Sequence, residues 1–407
     1  MGVQGRHGPG GKAPLMGYSL TPAIILCRMV PHYRLAILEE LYRRYGWLVA
    51  TAATPPAGTA LNTVTDRPFI RPFAFRFPRS DRPYLCQVPL HRILADLRPR
   101  AVIAEFSLQM SSSYALALRR SLGWNPPALF WSHGYNVRRG FATPTARAIQ
   151  TLRAKLAARV DGHICYGPEG KAFLDRHMNP NRVFVALNTL GHPGPMAPQT
   201  TGAAERSSQD RPPDPGRTTL VAIGRLVPEK AVPRLVRVVR RLHAENPAVR
   251  LVVIGDGPER NLAEADAGPL VAAGVITFTG AIYNEDVLAR LFAEADAAVF
   301  AGVVGLGANH ALLHGAPILA LPPAPLGPAH CPEFIHIRPG LTGLLATDGS
   351  DQALLALLRD FVANIAGYRA ILRPHVAAYA RAHLGLPKML EGFEAVNAYL
   401  TSGRGTC

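Results

Sequence analysis

The sequence predicts an α/β protein of two Rossmann-like domains, each with a parallel sheet, facing one another across a central cleft. Three observations predict it. Short apolar runs alternate with amphipathic stretches along most of the chain, the pattern of repeated βα units. A stretch from Gly191 to Thr218, rich in Pro, Gly, Ser and charge, interrupts that alternation and reads as a linker. The length of 407 residues accommodates two or three domains at about 100–200 residues each. The expected organisation is a basic extension over 1–21, a first domain over 22–190, a linker over 191–218, a second domain over 219–385, and a terminal helix and tail over 386–407.

In the first half, Ala23–Cys27 (AIILC) predicts a buried strand, followed by a helix over Leu35–Tyr45 with apolar residues at helical spacing. Ala101–Ala104 and Ala128–Trp131 predict further strands, Ala146–Val160 an Arg-bearing helix, and His163–Tyr166 and Val183–Ala186 short strands. The domain is expected to end at Asn188-Thr189-Leu190. In the second half, strands are expected at Thr219–Ile223, Arg250–Ile254, Val275–Phe278, Ala297–Phe300 and Ile318–Leu321. Helices are expected at Val232–Glu245, Asn284–Ala293 and Ala308–His314, and the chain reads as mostly helical from Leu354 onward. Ala297 to Pro332 holds no charged side chain apart from histidines, yet Gly, Pro, Asn309, His310, His314 and His330 divide it. The pieces are shorter than the ~20 apolar residues a membrane helix needs, so a buried strand–loop–helix–strand passage is expected.

Composition narrows the function classes. Apolar residues make up 48% of the chain and charged ones 18%, which fits a packed protein and excludes wholesale disorder. The formal charge is +16, and only five of the 44 cationic residues are Lys. An Arg excess suits anionic partners such as phosphates, nucleic acid or acidic headgroups, although coding bias alone can also produce it. No helix-turn-helix, zinc-finger, KH or RNP signature is visible, so a specific nucleic-acid partner is not expected. The cysteines, Cys27, Cys86, Cys165, Cys331 and Cys407, are scattered and form no CxxC pair. That argues against a disulfide scaffold or a zinc site and for a reducing, cytoplasmic setting. No signal-peptide core or membrane span is expected.

Three strand-to-loop junctions in the second half carry chemistry. Gly224-Arg225-Leu226-Val227-Pro228-Glu229-Lys230 follows the first strand. An Arg fork and a Lys point charge at such a junction can close on a diphosphate, as can the helix N-terminus behind them; a solvated pair flanking a turn is the plainer reading. Gly255-Asp256-Gly257-Pro258 follows the next strand, where Gly permits positive φ and close backbone approach, or simply a turn. Gly302-Val303-Val304-Gly305-Leu306-Gly307 enters a helix carrying His310, whose backbone N–H groups could meet hydroxyl or phosphate oxygens. In the first half, Thr65 to Tyr84 mixes Arg67, Arg71, Arg76, Arg79 and Arg82 with Phe69, Ile70, Phe73, Phe75 and Phe77. This suits a lipid diphosphate or an anionic membrane surface, or else a strand and loop with solvated Arg.

Together these motifs resemble the family 4 (group 1) glycosyltransferases of the GT-B fold, most strongly from Thr219 to about Leu345. The order matches: GRL-x-x-x-K (Gly224, Arg225, Lys230), Gly-x-Gly-Pro (Gly255, Gly257, Pro258), F-x-G (Phe278, Gly280), the ALLHGAPI step (Ala311 to Ile318), then Pro332-Glu333 and GLTGLL (Gly340 to Leu345). In the first half, Arg28-Met29-Val30-Pro31-His32-Tyr33-Arg34 and Phe130-Trp131-Ser132-His133-Gly134-Tyr135-Asn136 are similar to bacterial surface-polysaccharide members.

The resemblance implies a retaining transfer of sugar from a nucleotide-sugar donor to a glycan or polyprenyl-diphosphate-linked acceptor in cell-surface polysaccharide biosynthesis, with the site in the cleft and no metal cofactor. It assigns catalysis to His133, Arg225 and Lys230, and donor binding to Gly224, Gly255, Gly257, Gly305, Leu306 and His310 as well as that Arg and Lys. Pro31, His32, Tyr33 and Arg34 fall on the acceptor side. The family's two glutamates, eight positions apart, align with Gly302 and His310, so both acids are absent. A cytoplasmic protein with peripheral contact to an anionic membrane is expected. A GT-B sugar-nucleotide epimerase, or a degenerate or anionic-ligand-binding homologue, would share the fold; a convincing acid/base carboxylate pair for epimerisation is not evident.

Overall fold

Every strand of the computed structural model pairs in parallel with its neighbours. The structure describes residues 21–54, 63–77, 85–124, 126–137, 140–190 and 216–402. Most of the expected linker, residues 191–215, and the N-terminal extension through residue 20 lie outside the described residues.

The first sheet has the order β3-β2-β1-β4-β5-β6-β7. Its strands are β1 (Ile24–Leu26), β2 (Leu48–Ala52), β3 (Ile70–Phe73), β4 (Val102–Glu105), β5 (Ala128–Ser132), β6 (Gly162–Cys165) and β7 (Val183–Val185). The second has the order β10-β9-β8-β11-β12-β13, from β8 (Thr218–Ile223), β9 (Val249–Ile254), β10 (Ile276–Gly280), β11 (Ala297–Phe300), β12 (Ile318–Ala320) and β13 (Gly343–Leu345). Each sheet therefore reverses its strand order once, between β1 and β4 and between β8 and β11. In open α/β sheets ligands bind outside the carboxyl ends of the strands at that reversal.

The elements follow from local chemistry. Strands such as β11 (AAVF) and β5 (ALFWS) are buried on both faces, which is why they read as continuous apolar runs rather than alternating ones. The Leu35–Tyr45 helix buries Ile37, Leu38 and Leu41 on one stripe and stops at Gly46, whose φ of 68° is left-handed. The Val232–Glu245 helix has Pro at its first turn and buries Leu235, Val236, Val239 and Leu242. The uncharged passage from Ala297 is indeed β11, a glycine loop, the Gly307–Leu313 helix and β12, with Ala308, Ala311 and Leu312 fully buried.

Two joins tie the halves together. Leu190 packs into the second half's core beside Val221 and Phe300. The Leu386–Thr401 helix returns to the first half, where Met389, Leu390, Phe393 and Val396 join Trp47 and Trp131 in its core. Gly392 makes that return fit, because a Cβ there would stand 2.2 Å from the Val185 carbonyl oxygen.

The segment from Thr65 corrects one expectation. Phe69 and Ile70 are buried at the start of β3, and Phe73 and Phe75 pack against the core, so these side chains are not free for a membrane surface. Pro72 within β3 fits its edge position. Residues 78–84, with Arg79 and Arg82, lie outside the described residues.

Candidate active site

At the β8/β11 reversal two loops meet. The loop after β8 leaves through Gly224, at φ 142°, and its Arg225 is exposed. It then forms a single 3₁₀ turn, Pro228–Lys230. Lys230 points inward: its Nζ donates to the Val303 carbonyl oxygen at 2.7 Å, within the glycine loop after β11. Burial lowers the Lys230 pKa below the usual lysine value, offset in part by Cys331, Glu333 and Glu229, while Arg225 adds to the lowering. An ammonium has three N–H groups, so two remain for a ligand after Val303 is served.

The glycines of these loops divide by task. A Cβ on Gly302 would stand 2.4 Å from the Glu229 carbonyl oxygen, and one on Gly307 would stand 2.7 Å from that of Ile223. Both are therefore packing glycines that bring the two loops together. Gly305 is different, since its Cβ position faces the Lys230 ammonium at 3.0 Å. Gly255 and Gly257 lie under the β8 loop. Leu226 N–H donates to the Asp256 carbonyl at 2.9 Å, and Cβ atoms would approach the Gly224 and Leu226 carbonyl oxygens at 1.9 and 2.5 Å. They shape the loop that carries Arg225 and Lys230.

His330 fixes the glycine loop from behind. Its Nδ1 accepts from the Val304 N–H at 3.0 Å, so its Nε2 carries the proton toward the carbonyls of Leu321 and Pro322 at 3.2 and 3.3 Å. Its ring stacks on Phe334, and burial lowers its pKa, which keeps it neutral in this role.

The first sheet supplies the opposite wall. At the β1/β4 reversal, the Arg28 backbone N–H and Nε donate to the two carboxylate oxygens of Glu105 at 3.0 and 2.9 Å. Beyond β1, Pro31 leads into the His32–Arg34 turn. The Arg34 guanidinium lies over the Trp131 and Tyr166 rings, 4.7 and 5.0 Å from their centroids, and donates to the Tyr166 hydroxyl. Burial opposes its charge, but Tyr166, Tyr33 and Glu105 outweigh that and raise its pKa. His32 stacks edge-on against Tyr283 of the second half, with centroids 4.8 Å apart, and Tyr33 packs against the second half's core.

His133 follows β5 on the same wall. Its ring lies 4.8 Å from that of Tyr166, and its Nδ1 is buried without a hydrogen-bond partner among the described residues. Burial, with the charges of Arg34 and Arg153, lowers its pKa to about 4. The next residue, Gly134, has φ 80°, and a Cβ on Gly170 would stand 2.3 Å from the His133 carbonyl oxygen. The Ser-His-Gly segment is thus seated directly on the Pro168–Leu174 helix.

Glu333 joins the walls. Its Oε1 accepts from the Asn188 side chain at 2.7 Å, while the Asn188 carbonyl accepts from the Asn309 side chain at 2.8 Å. Burial raises the Glu333 pKa; its own backbone, Asn188, and the cations Lys230 and Arg34 act against that rise. The carboxylate therefore feels the cations of both halves.

Residues 217–364 match the family described as "Glycosyl transferases group 1". The second half of the chain is therefore similar to group 1 glycosyltransferases. No curated protein matches it by sequence. Solved structures show the GT-B fold over nearly the whole chain. Anabaena Alr3699/HepE in complex with UDP is 14% identical, with a TM-score of 0.63 over 92% of this chain and 99% of that one. Sucrose-phosphate synthase from Thermosynechococcus elongatus is 18% identical, with a TM-score of 0.66 over 94% and 99%. The lipopolysaccharide outer core galactosyltransferase WaaB is 14% identical, with a TM-score of 0.61 over 92% and 98%.

Lys230, Gly305 and Leu306 come together at one end of the cleft, with Gly224 and Arg225 on the same loop system as Lys230. Pro31, His32, Tyr33, Arg34 and His133 form the other wall. His310 lies one turn into the Gly307–Leu313 helix. Its Nδ1 is 4.0 Å from Glu285 Oε2, and its ring is parallel to that of His314. Sequence reasoning gave no role to His330, Asn188, Asn309 or Glu285, and quoted Glu333 only as part of a motif. The four-residue spacing of His310 and His314 was the one signal pointing to a shared helix face.

Proposed function

We propose that the protein is a retaining glycosyltransferase that moves a sugar from a nucleotide-sugar onto a glycan or lipid-diphosphate-linked acceptor in surface-polysaccharide synthesis, at the inner face of the membrane. The observation that carries this reading is the meeting of the Lys230 ammonium with the 302–307 glycine loop at the strand-order reversal of a group 1 domain. UDP in the Anabaena structure makes a UDP-sugar the first donor to try. Among the described residues no helix is long and apolar enough to cross a membrane, so attachment would be peripheral.

The chemistry follows from charge. The bond from the anomeric carbon to the diphosphate oxygen breaks, and the acceptor oxygen bonds to that carbon from the same face. The acceptor's proton passes to the departing diphosphate, which takes up the electron pair. Arg225 and Lys230 oppose the negative charge that grows on the leaving group, so they act most strongly in the transition state. Arg34, a half-buried cation on the opposite wall, would receive an anionic group of the acceptor, such as a diphosphate. His133 would accept or donate one hydrogen bond to the transferred sugar. With a pKa of about 4 it stays neutral through pH 6–8.

His133→Ala is expected to lower transfer while leaving nucleotide affinity nearly intact, because His133 sits on the first-half wall. The wild-type rate should also show no ionisation from this residue between pH 6 and 8. Calorimetry of nucleotide binding beside a transfer assay at saturating donor checks both. Weakened nucleotide binding with unimpaired transfer would reassign His133.

His310 stands where the family resemblance places a ribose-binding carboxylate. A carboxylate only accepts hydrogen bonds, whereas each imidazole nitrogen offers one hydrogen bond of either sense. His310→Ala is expected to weaken donor binding several-fold to about tenfold, the worth of a lost hydrogen bond at about 0.5–1.5 kcal/mol. His310→Glu should retain the fold and partial activity. Titrating the donor into all three proteins is the check; equal affinity for alanine and wild type would leave His310 as packing only.

A further inference from the structure

We propose that Glu285, His310 and His314 form a binding site for a divalent transition-metal ion of the Zn²⁺ class, at the edge of the donor side of the cleft. The three side chains come from two helices. His310 and His314 are four residues apart, and the His314 N–H donates to the His310 carbonyl at 3.1 Å, which stacks both side chains on one helical face. Glu285 opens the facing helix, Glu285–Ala293, which is anchored by Asn284 capping the Val287 N–H at 3.1 Å.

The donor atoms converge. Glu285 Oε2 lies 3.5 Å from His314 Nε2 and 4.0 Å from His310 Nδ1, and one ligand atom from each residue lies within 4.8 Å of the others. Ligands about 2.0–2.1 Å from a tetrahedral ion stand about 3.3 Å apart, so modest rotamer adjustment closes the set. The rings are already aligned for it. His314 stacks on Phe292 at 9° and 5.2 Å, and the two imidazoles are parallel to within 9°. Phe292 is fully buried, which holds His314 in place. His314 is 3% exposed, whereas Glu285 and His310 are 31% and 20% exposed and leave an entry path.

Two imidazoles and one carboxylate suit Zn²⁺ or its neighbours; Mg²⁺ prefers oxygen ligands throughout. Three protein ligands leave a fourth position for water. Metal at His310 Nδ1 would fix the remaining proton on Nε2 and make that nitrogen an obligatory donor. This last consequence rests on His310 contacting the nucleotide-sugar; the metal site itself does not.

The test is Zn²⁺ titration calorimetry on the full chain after chelator treatment, with circular dichroism as a check on folding. No sugar donor is present, so the result is independent of the transfer reading. The expected result is a site in the wild type whose affinity falls at least about tenfold in both Glu285→Gln and His314→Ala. Glu285→Gln keeps the shape of a partly exposed side chain and decides the matter if His314→Ala fails to fold. Tetrahedral Co²⁺ absorption in the visible should be lost in parallel. No uptake by the wild type, or equal stoichiometry and affinity in wild type and Glu285→Gln, overturns the proposal.

Discussion

Lys230→Ala is expected to lower turnover by about 10²–10³ while leaving the fold largely intact, and Arg225→Ala to act in the same direction. Loss of one preorganised contact to a developing charge typically has this effect on rate. The two residues differ in setting. Arg225 is exposed, so its removal leaves no buried group without a partner. Lys230 is enclosed and donates to Val303, so its removal also frees one acceptor in the glycine loop. A loss of stability of roughly 1 kcal/mol is therefore expected for Lys230→Ala and little for Arg225→Ala. Steady-state transfer kinetics alongside thermal unfolding separate the two effects. Wild-type turnover in both variants would remove the diphosphate assignment.

Gly255→Ala is expected to be the most damaging single methyl in the second half. Its backbone has φ 146°, and the new carbon would stand 1.9 Å from the Gly224 carbonyl oxygen. The obstacle is backbone, not the end of a flexible side chain, so the β8 and β9 loops must part. Backbone strain and overpacking each contribute about 1–3 kcal/mol, and here they act together. A loss of about 3 kcal/mol or more is expected, read as a lower urea midpoint at unchanged slope. Gly274→Ala is the control. Gly274 also has positive φ, at 66°, but nothing lies within 4 Å of its Cβ position. It should cost about 1 kcal/mol. Equal losses in the two variants would show that close loop packing is not what Gly255 serves.

These glycines show what was legible in the sequence and what was not. The buried strands were plain, because runs such as Arg250–Ile254 and Ala297–Phe300 are apolar on both faces and bounded by turn residues. The Val232–Glu245 helix was plain because its apolar stripe has helical spacing. The strands β2 and β13 were not anticipated, and β3 was expected only as one of two readings of the Thr65–Tyr84 stretch. β3 carries Pro and Arg, and β13 is only Gly343–Leu345, so their pairing is imposed by the sheet rather than by local propensity. That Gly255-x-Gly257 marked a close approach was readable; that the approach is to Gly224 and Leu226 depended on the order of the strands.

The two positions where the resemblance would place acids, Gly302 and His310, have different physical settings. At Gly302 the Glu229–Lys230 backbone fills the space a side chain would need. At His310 a side chain has room and meets Glu285 and His314 instead. The first-half wall was the least readable part of the site. Pro31 to Arg34 and His133 could be named, but the stacking of Arg34 on Trp131 and Tyr166 joins residues far apart in the chain. Glu333 and Asn188 belong to opposite halves, and no periodicity connects them.

The central claim is that a nucleotide-sugar diphosphate binds against Arg225, Lys230 and the 302–307 loop. Its most direct test is thermal unfolding of wild type and Lys230→Ala across a panel of UDP-, GDP-, ADP- and dTDP-sugars. A ligand at 100 times its dissociation constant should stabilise the wild type by about 2.7 kcal/mol. The account predicts that at least one of the four does so in the wild type and that most of the shift is lost in Lys230→Ala. No shift with any of the four, or an equal shift in both proteins, would contradict it.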